Sequence, residues 1–158
     1  MFNIGDKVVY PMHGAGVIEA IEEKEILGKK RKYYIMKMPL GEMKVMIPLD
    51  NVGDIGLRDI ISLDEVEQVM AVLSDDTSKM PKNWNRRYRA NLDKIKSGDI
   101  YEVAAVVRNL MLRDKEKGLS TGEKKMLNNA KQILISELVL ARGIEEQAAE
   151  ILINEAVQ

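Results

Sequence analysis

Ser62-Leu63-Asp64-Glu65-Val66-Glu67-Gln68-Val69-Met70-Ala71-Val72-Leu73 is where the chain changes period. Ser62 followed three residues later by Glu65, ahead of apolar positions spaced by three and four, is a capping box opening a helix that runs to about Leu73. Everything before this point has strand spacing, and everything after it has helix spacing.

Working back from Ser62, residues 1–58 read as β. Lys7-Val8-Val9-Tyr10 is short and extended, and Pro11-Met12-His13-Gly14-Ala15-Gly16 carries turn signals. Gly16 to Ile26 alternates imperfectly, Leu27-Gly28-Lys29-Lys30 reads as a hairpin turn, and Arg31 to Met38 holds the strand formers Tyr33-Tyr34-Ile35. Pro39-Leu40-Gly41-Glu42 turns the chain again, and Met43 to Ile47 alternates until Pro48. Four or five strands of this length predict a small, strongly bent barrel of the SH3 or Tudor kind. Its edges can accept a partner's strand through main-chain hydrogen bonds.

Working forward, Ser74 to Pro81 is a polar linker, and Asn83 caps a helix that Ser97-Gly98 ends after Lys96. Asp99-x-x-Glu102 and Ser120-x-x-Glu123 resemble further capping boxes, opening helices that end near Gly118 and at Gly143. A last amphipathic helix is expected over Ile144 to Val157, with Ile144, Ala148, Ile151, Leu152 and Ala156 on its apolar stripe. The expected fold class is therefore α+β in two domains: a Tudor/SH3-like β-barrel over residues 1–58 and an all-α domain over 59–158, with the polar linker near 74–82.

Composition narrows the chemistry. The chain has 158 residues, 46% hydrophobic and 31% charged, with one His, one Trp and no Cys. That is a globular composition, and it excludes disulfides, Cys-zinc sites and thiol nucleophiles. No apolar run approaches a membrane span and no signal peptide is visible, so the expected location is cytoplasmic, without membrane attachment. His13 sits in a Pro- and Gly-rich turn, where a surface or turn-stabilising role accounts for it. Gly14-Ala15-Gly16 lacks a third glycine and a Gly-Lys-Ser/Thr ending, and Asp75-Asp76 and Glu145-Glu146 read as solvated charge. Nothing converges on catalysis, so no enzyme, cofactor, metal or small-molecule substrate is expected.

The net charge of −1 hides a segregation: +1 over residues 1–58, −6 over 59–78, +8 over 79–131 and −4 over 132–158. A +8 block attracts polyanions whatever the overall balance. Within it, Pro81-Lys82-Asn83-Trp84-Asn85-Arg86-Arg87-Tyr88-Arg89-Ala90-Asn91-Leu92-Asp93-Lys94-Ile95 places Trp84, Tyr88, Asn91, Leu92 and Ile95 on one helical face. Arg86, Arg87, Arg89 and Lys94 point elsewhere and are spaced to meet successive phosphates. Trp84 admits two readings: a core side chain on the apolar stripe, or an indole projecting beside the cations to stack on or wedge at an unstacked base step. Lys115, Lys117, Lys124, Lys125 and Lys131 surround the Gly118-Leu119-Ser120 turn and extend the basic face if that turn folds near Arg86 and Arg87.

Three motifs in order carry a resemblance: Gly5-Asp6-x-Val8-Val9-Tyr10-Pro11-x-His13-Gly14-Ala15, Asn83-Trp84-x-Arg86-Arg87-Tyr88-x-Ala90-Asn91-Leu92, and Gly118-Leu119-Ser120-x-Gly122-Glu123-Lys124-x-Met126-Leu127. Across essentially its whole length the chain resembles the CarD/CdnL family of bacterial transcription regulators. The first motif alone is less specific, because a similar domain occurs in the transcription-repair coupling factor.

The resemblance implies a Tudor-like domain bound by a strand edge to the β subunit of bacterial RNA polymerase, with Lys24, Val45, Met46 and Ile47 at the contact. Some relatives carry Arg where this chain has Met46, so the contact expected here is more apolar. It also implies a helical domain on promoter DNA at the upstream edge of the transcription bubble. There Trp84 would wedge into the minor groove, and Arg86, Arg87, Arg89, Lys94, Lys124 and Lys125 would hold phosphates. The expected outcome is a stabilised open complex without strict sequence specificity, in a protein associated with the nucleoid through the polymerase. The competing reading of the basic face is a protein–protein adaptor for acidic partners.

Overall fold

The computed structural model describes residues 2–158. Its N-terminal part is one antiparallel sheet of β1 (Lys7–Tyr10), β2 (Gly14–Ile26), β3 (Lys29–Lys37), β4 (Lys44–Pro48) and β5 (Arg58–Asp59), ordered β4-β3-β2-β1-β5. A 3₁₀ turn at Leu49–Asn51 and a short α1 (Val52–Ile55) carry the chain from β4 to β5. Alternation sends Val8, Ile18, Tyr34, Met36 and Ile47 into one small core, which Leu57, just before β5, completes. The β2–β3 register shifts by a bulge between Ile18 and Ala20. The hairpin closes through Leu27 and Gly28, both at positive φ (54° and 77°), as a two-residue turn between right-twisting strands demands. β4 and β5 are the edges of the sheet.

The rest is helical: α2 (Leu63–Ser74), α3 (Trp84–Lys96), α4 (Ile100–Lys117), α5 (Thr121–Arg142) and α6 (Glu146–Ala156). The architecture is thus the expected α+β order of a β unit followed by helices. Ser62 makes the reciprocal capping box with Glu65. The other two boxes are single caps. Asp99 accepts from the Tyr101 amide, and Ser120 accepts from the Glu123 amide, while the Glu123 carboxylate is held by Arg87 and accepts from the Ser120 hydroxyl (3.3 Å). The helices enclose a second core around Leu73, Ile95, Leu110, Leu134, Leu138 and Ile153. On α6 the expected stripe is corrected in part: Ile144 and Ala156 pack half-buried on the core and Leu152 is half-buried, whereas Ala148 and Ile151 face solvent and the fully buried positions are Ala149, Ile153 and Val157. The buried row runs one register away, because the helix begins at Glu146 and packs on α5 and α2.

The polar linker is tethered. Asn109 Nδ2 and Arg108 Nη2 donate to Ser78 Oγ (2.7 and 3.2 Å), and the Ser78 amide donates to Asn109 Oδ1 (3.1 Å). Arg108 also donates to the Val72 carbonyl (2.8 Å), tying the linker to the end of α2.

Sheet and helices meet along α5. Gly14 (φ +106°) lies so close that a Cβ there would sit 2.6 Å from Ser136 Oγ, and the Ala15 amide donates to that oxygen at 2.8 Å. Only glycine combines that φ with that approach. Beside it, Arg58 Nη1 and Nη2 donate to the two carboxylate oxygens of the fully buried Glu137 (2.9 and 2.8 Å), while its Nε donates to the Gly98 carbonyl. The Ile61 amide also donates to Glu137 (2.9 Å). The carboxylate therefore keeps three donors without water, the condition under which a buried charge is tolerated. β5 straddles the 58/59 boundary, so the last strand of the sheet and the first residues beyond it share this joint.

Candidate nucleic-acid interface

Trp84 is the first residue of α3, and 42% of its surface is exposed. Its core reading is therefore set aside. The buried line of α3 is Arg87, Asn91 and Ile95, with Trp84, Tyr88 and Leu92 flanking it. The indole is held in place from three sides. Its ring stacks on Tyr88 (centroids 5.2 Å, 20° between planes), its Nε1 donates to Ser120 Oγ at 2.9 Å, and Gly122 lies against Cζ2, 3.4 Å from where a Cβ would stand. A stacked aromatic pair contributes about 0.5–1.5 kcal/mol beyond its buried area. The third sequence motif thereby explains itself: Ser120 and Gly122 hold the indole presented by the second.

Arg87 corrects the expectation that it faces outward with Arg86 and Arg89. It is 3% exposed, with Nε 2.7 Å and Nη2 3.2 Å from the two oxygens of Glu123, itself 2% exposed, and with Nη1 donating to the Lys82 carbonyl at 3.0 Å. The paired guanidinium holds the Glu123 carboxyl below the usual range, against a burial effect of opposite sign. Its charge is paired and its guanidinium is buried, so Arg87 positions the start of α3 against α5 instead of facing a phosphate. The helical wheel could not show this, because the partner lies 36 residues away.

Arg86 and Arg89 are exposed, as are Lys124 and Lys125 on α5, and Lys94 is half-buried. None of the five has a carboxylate within 4 Å among the described residues. The hydrogen bond between Trp84 and Ser120 joins the N-termini of α3 and α5, where aligned backbone dipoles already favour anions. Arg86, Lys124 and Lys125 sit near those ends, where cations oppose the helix dipole; helix stability does not account for them. The arrangement is a flat aromatic at the meeting point of two positive helix ends, bordered by uncommitted cations.

On the sheet, β4 presents Lys44 and Met46 outward and turns Val45 and Ile47 inward. Met46 is 42% exposed, whereas Ile47 is fully buried. The expected contact through the Ile47 side chain is corrected: that side chain is core, and at this position only main chain can lie at the edge. Val45 is half-buried against the same core. Lys24 stands on the outer half of the β2–β3 hairpin, 3.4 Å from Glu22. The structure does not bring Lys24 onto β4. Leu27 at the hairpin tip (98% exposed) and Met43 (61%) were not singled out from sequence, since isolated apolar residues in turns carry no periodic signal.

His13 is exposed, its ring 4.3 Å from that of Tyr10 and its amide bonded to the Tyr10 carbonyl. A cavity of about 400 Å³ between sheet and α5 is lined by His13, Met38, Leu40, Met43, Ile133 and Glu146 among others. Among the described residues no group of three or more His, Cys, Asp or Glu is arranged to hold a metal, and no helix is long and apolar enough to cross a membrane.

Comparison with known proteins assigns residues 68–154 to the CarD C-terminal domain and residues 2–61 to the CarD-like/TRCF RID domain. The chain is 48% identical over 147 residues, 93% of its length, to YdeB of Bacillus subtilis (strain 168), a presumptive transcription factor of which it covers 96%. Two solved structures from Myxococcus xanthus are also similar. The N-terminal domain of CarD, determined by solution NMR, is 36% identical over 37% of this chain and 79% of that one (TM-score 0.33). CdnLNt is 42% identical over 39% and 87% (TM-score 0.34).

Proposed function

This chain belongs to the CarD family of transcription regulators, and on that premise we propose that it docks on RNA polymerase through its sheet and stabilises the open promoter complex through its helices. The polymerase contact is the β4 edge, offering main-chain groups and the exposed Met46 to the β subunit. Lys24 lies on the neighbouring hairpin as a separate cation. The DNA contact is Trp84, wedged in the minor groove at the upstream edge of the bubble, with Arg86, Arg89, Lys94, Lys124 and Lys125 on nearby phosphates. The protein works in the cytoplasm, on the nucleoid wherever polymerase is.

The observation that carries this reading is the pre-positioned Trp84: a large indole, half in solvent, locked by Tyr88 and Ser120 between uncommitted cations. Fixing it in advance removes the ordering cost that a mobile side chain would meet on binding. The physics of the remaining steps is simple. A few phosphate contacts give weak, salt-sensitive binding, about 10⁻⁴–10⁻⁶ M for non-specific complexes. Docking on polymerase raises the local DNA concentration, so weak contacts suffice. Trp84 favours opening only by interacting better with a partly unstacked step than with closed duplex, because equal affinity for both states shifts nothing.

The test is the lifetime of open complexes formed by bacterial RNA polymerase alone, with this protein, and with Trp84→Ala. A longer lifetime that Trp84→Ala abolishes while still binding polymerase supports the wedge. An unchanged lifetime with folded protein assigns the basic face to acidic protein partners instead.

A further inference from the structure

Trp84 and Arg87 stand three residues apart at the start of α3, and Ser120 and Glu123 stand three apart at the start of α5. Three residues make nearly one turn, so each pair lies along one line of its helix. The two lines are joined by two rungs. The outer rung is the indole Nε1 on Ser120 Oγ at 2.9 Å, and the inner rung is Arg87 on both oxygens of the buried Glu123. The rungs connect within α5, where Ser120 Oγ lies 3.3 Å from Glu123 Oε1.

The direction of that connection follows from the donors. The indole Nε1–H and the Glu123 amide N–H both reach Ser120 Oγ, and neither can accept a hydrogen bond. They engage the two lone pairs of the hydroxyl, so its single proton leaves in a third direction. The acceptor the chain offers there is Glu123 Oε1. Hydrogen bonds therefore run one way, from indole N–H to hydroxyl to carboxylate, and a chain ending on an anion polarises each member. Arg87 leads in holding the Glu123 carboxyl below its usual range, and the Ser120 hydroxyl adds to the effect. Fastening α3 to α5 requires the inner rung alone, which accounts for neither the hydroxyl nor the indole bonded to it.

We propose that Glu123 is a positioning residue for Trp84: by accepting the Ser120 hydroxyl, its carboxylate keeps the hydroxyl's lone pairs turned to the indole N–H. The pose so fixed is the one offered to opening DNA, so the functional consequence rests on the reading of Trp84 given above.

The chain has one tryptophan, so solvent exchange of Trp84 Nε1–H is read from a single indole resonance in the full-length ¹⁵N-labelled protein. In Glu123→Gln the new carbonyl stays with Arg87, and the new amide N–H turns to Ser120 and competes with the indole. Exchange should become faster by about 2–10-fold, the worth of one net hydrogen bond. Adding Glu123→Gln to Ser120→Ala should give no further gain, because the link is already cut. Glu123→Gln leaves Arg87 without its counter-ion, so Arg87→Met/Glu123→Leu is the second variant: an apolar pair can hold α3 on α5. It should keep the melting temperature and still exchange as fast as Glu123→Gln. Arg87→Lys is the converse, expected to melt lower while keeping the parental exchange rate, since the carboxylate remains. Parental exchange in the folded Glu123 variants, the same acceleration in the Ser120→Ala background, or faster exchange in folded Arg87→Lys overturns the proposal.

Open-complex lifetimes separate this inference from the reading it rests on. Unchanged lifetime with Trp84→Ala, alongside faster exchange in Glu123→Gln, removes the wedge and keeps the positioning. A lifetime that Trp84→Ala shortens, alongside parental exchange in the Glu123 variants, keeps the wedge and removes the positioning.

Discussion

Trp84 Nε1 donates to Ser120 Oγ across 2.9 Å, and the same oxygen accepts from the Glu123 amide at 3.2 Å. One hydroxyl thus caps α5 and aims the indole at the start of α3. Ser120→Ala should lose the cap, worth about 0.5–2 kcal/mol by unfolding, and release the ring to other rotamers. Ser120→Thr keeps the hydroxyl, and with it the cap, the acceptor for Trp84 and the donor to Glu123 Oε1 (3.3 Å). We expect it to restore thermal stability and the Trp84 Nε1–H shift, both of which Ser120→Ala changes. Equal Trp84 signals in all three proteins would show that Tyr88 stacking alone orients the ring.

Arg87 and its exposed neighbours should behave oppositely. Arg87→Gln strands the buried Glu123 carboxylate and is expected to cost about 3–5 kcal/mol in chemical denaturation. Arg86→Gln and Arg89→Gln should stay within about 0.5 kcal/mol of the parent while weakening duplex binding at low salt. A thermally silent Arg87→Gln would refute the internal pairing.

The same pair sets an acid response. Because Arg87 depresses the folded-state pKa of Glu123, the pair's contribution is present in full above the unfolded glutamate value of about 4.3 and is lost as pH falls through the lower folded value. Unfolding free energy should therefore decline as pH falls below about 5, less steeply in an Arg87→Met/Glu123→Leu double variant. Parallel pH curves for the two proteins would exclude Glu123 as the titrating group.

At the joint, Gly14→Ala places a methyl carbon 2.6 Å from Ser136 Oγ at a backbone φ of +106°. The strained conformation alone costs about 1–3 kcal/mol. Ser136→Ala removes the acceptor of the buried Ala15 amide together with the hydroxyl's own bond to the Ile133 carbonyl (2.6 Å), at about 1–3 kcal/mol. Calorimetric unfolding should rank the parent above Ser136→Ala and Ser136→Ala above Gly14→Ala.

On β4 two adjacent substitutions separate binding from folding. Met46→Glu lies on the exposed face and should leave the melting temperature nearly unchanged while weakening polymerase capture. Ile47→Glu buries an unpaired charge in the small core and should unfold the sheet. Full polymerase capture by folded Met46→Glu would move the docking surface off the outer face of β4.

The local rules of the chain were readable where cause and effect are close in sequence. Ser62 with Glu65, Asn83, Gly118 and Gly143 mark helix ends because their partners lie within a turn. The strands came out the same way, from alternation and turns. What escaped depends on distant partners. Nothing near Gly14 indicates that Ser136 will press against it, and nothing near Arg87 indicates Glu123. Part of the α6 stripe misses for the same reason: Ile151 is as apolar as Ile153, and only the positions of α5 and α2 decide which one is covered. For the site, residue types were legible and orientation was not. Trp84, Arg86 and Arg89 stood out by composition, whereas Ser120 and Gly122 acquire their role only when α3 meets α5.

The joint between sheet and helices has a kinematic consequence. One contact leaves a body free to turn in every direction, and two leave it free about the line joining them. Here Gly14 against Ser136, Arg58 on Glu137 and Gly98, and Pro11 against Gly98, whose Cβ would stand 3.0 Å from the proline ring, join sheet and helices in more than one place. Contacts placed in this way oppose swinging of the sheet against the helices. On the proposed docking, the span from the β4 edge to the Trp84 indole is set by this joint, and it is the length that a promoter complex would have to match.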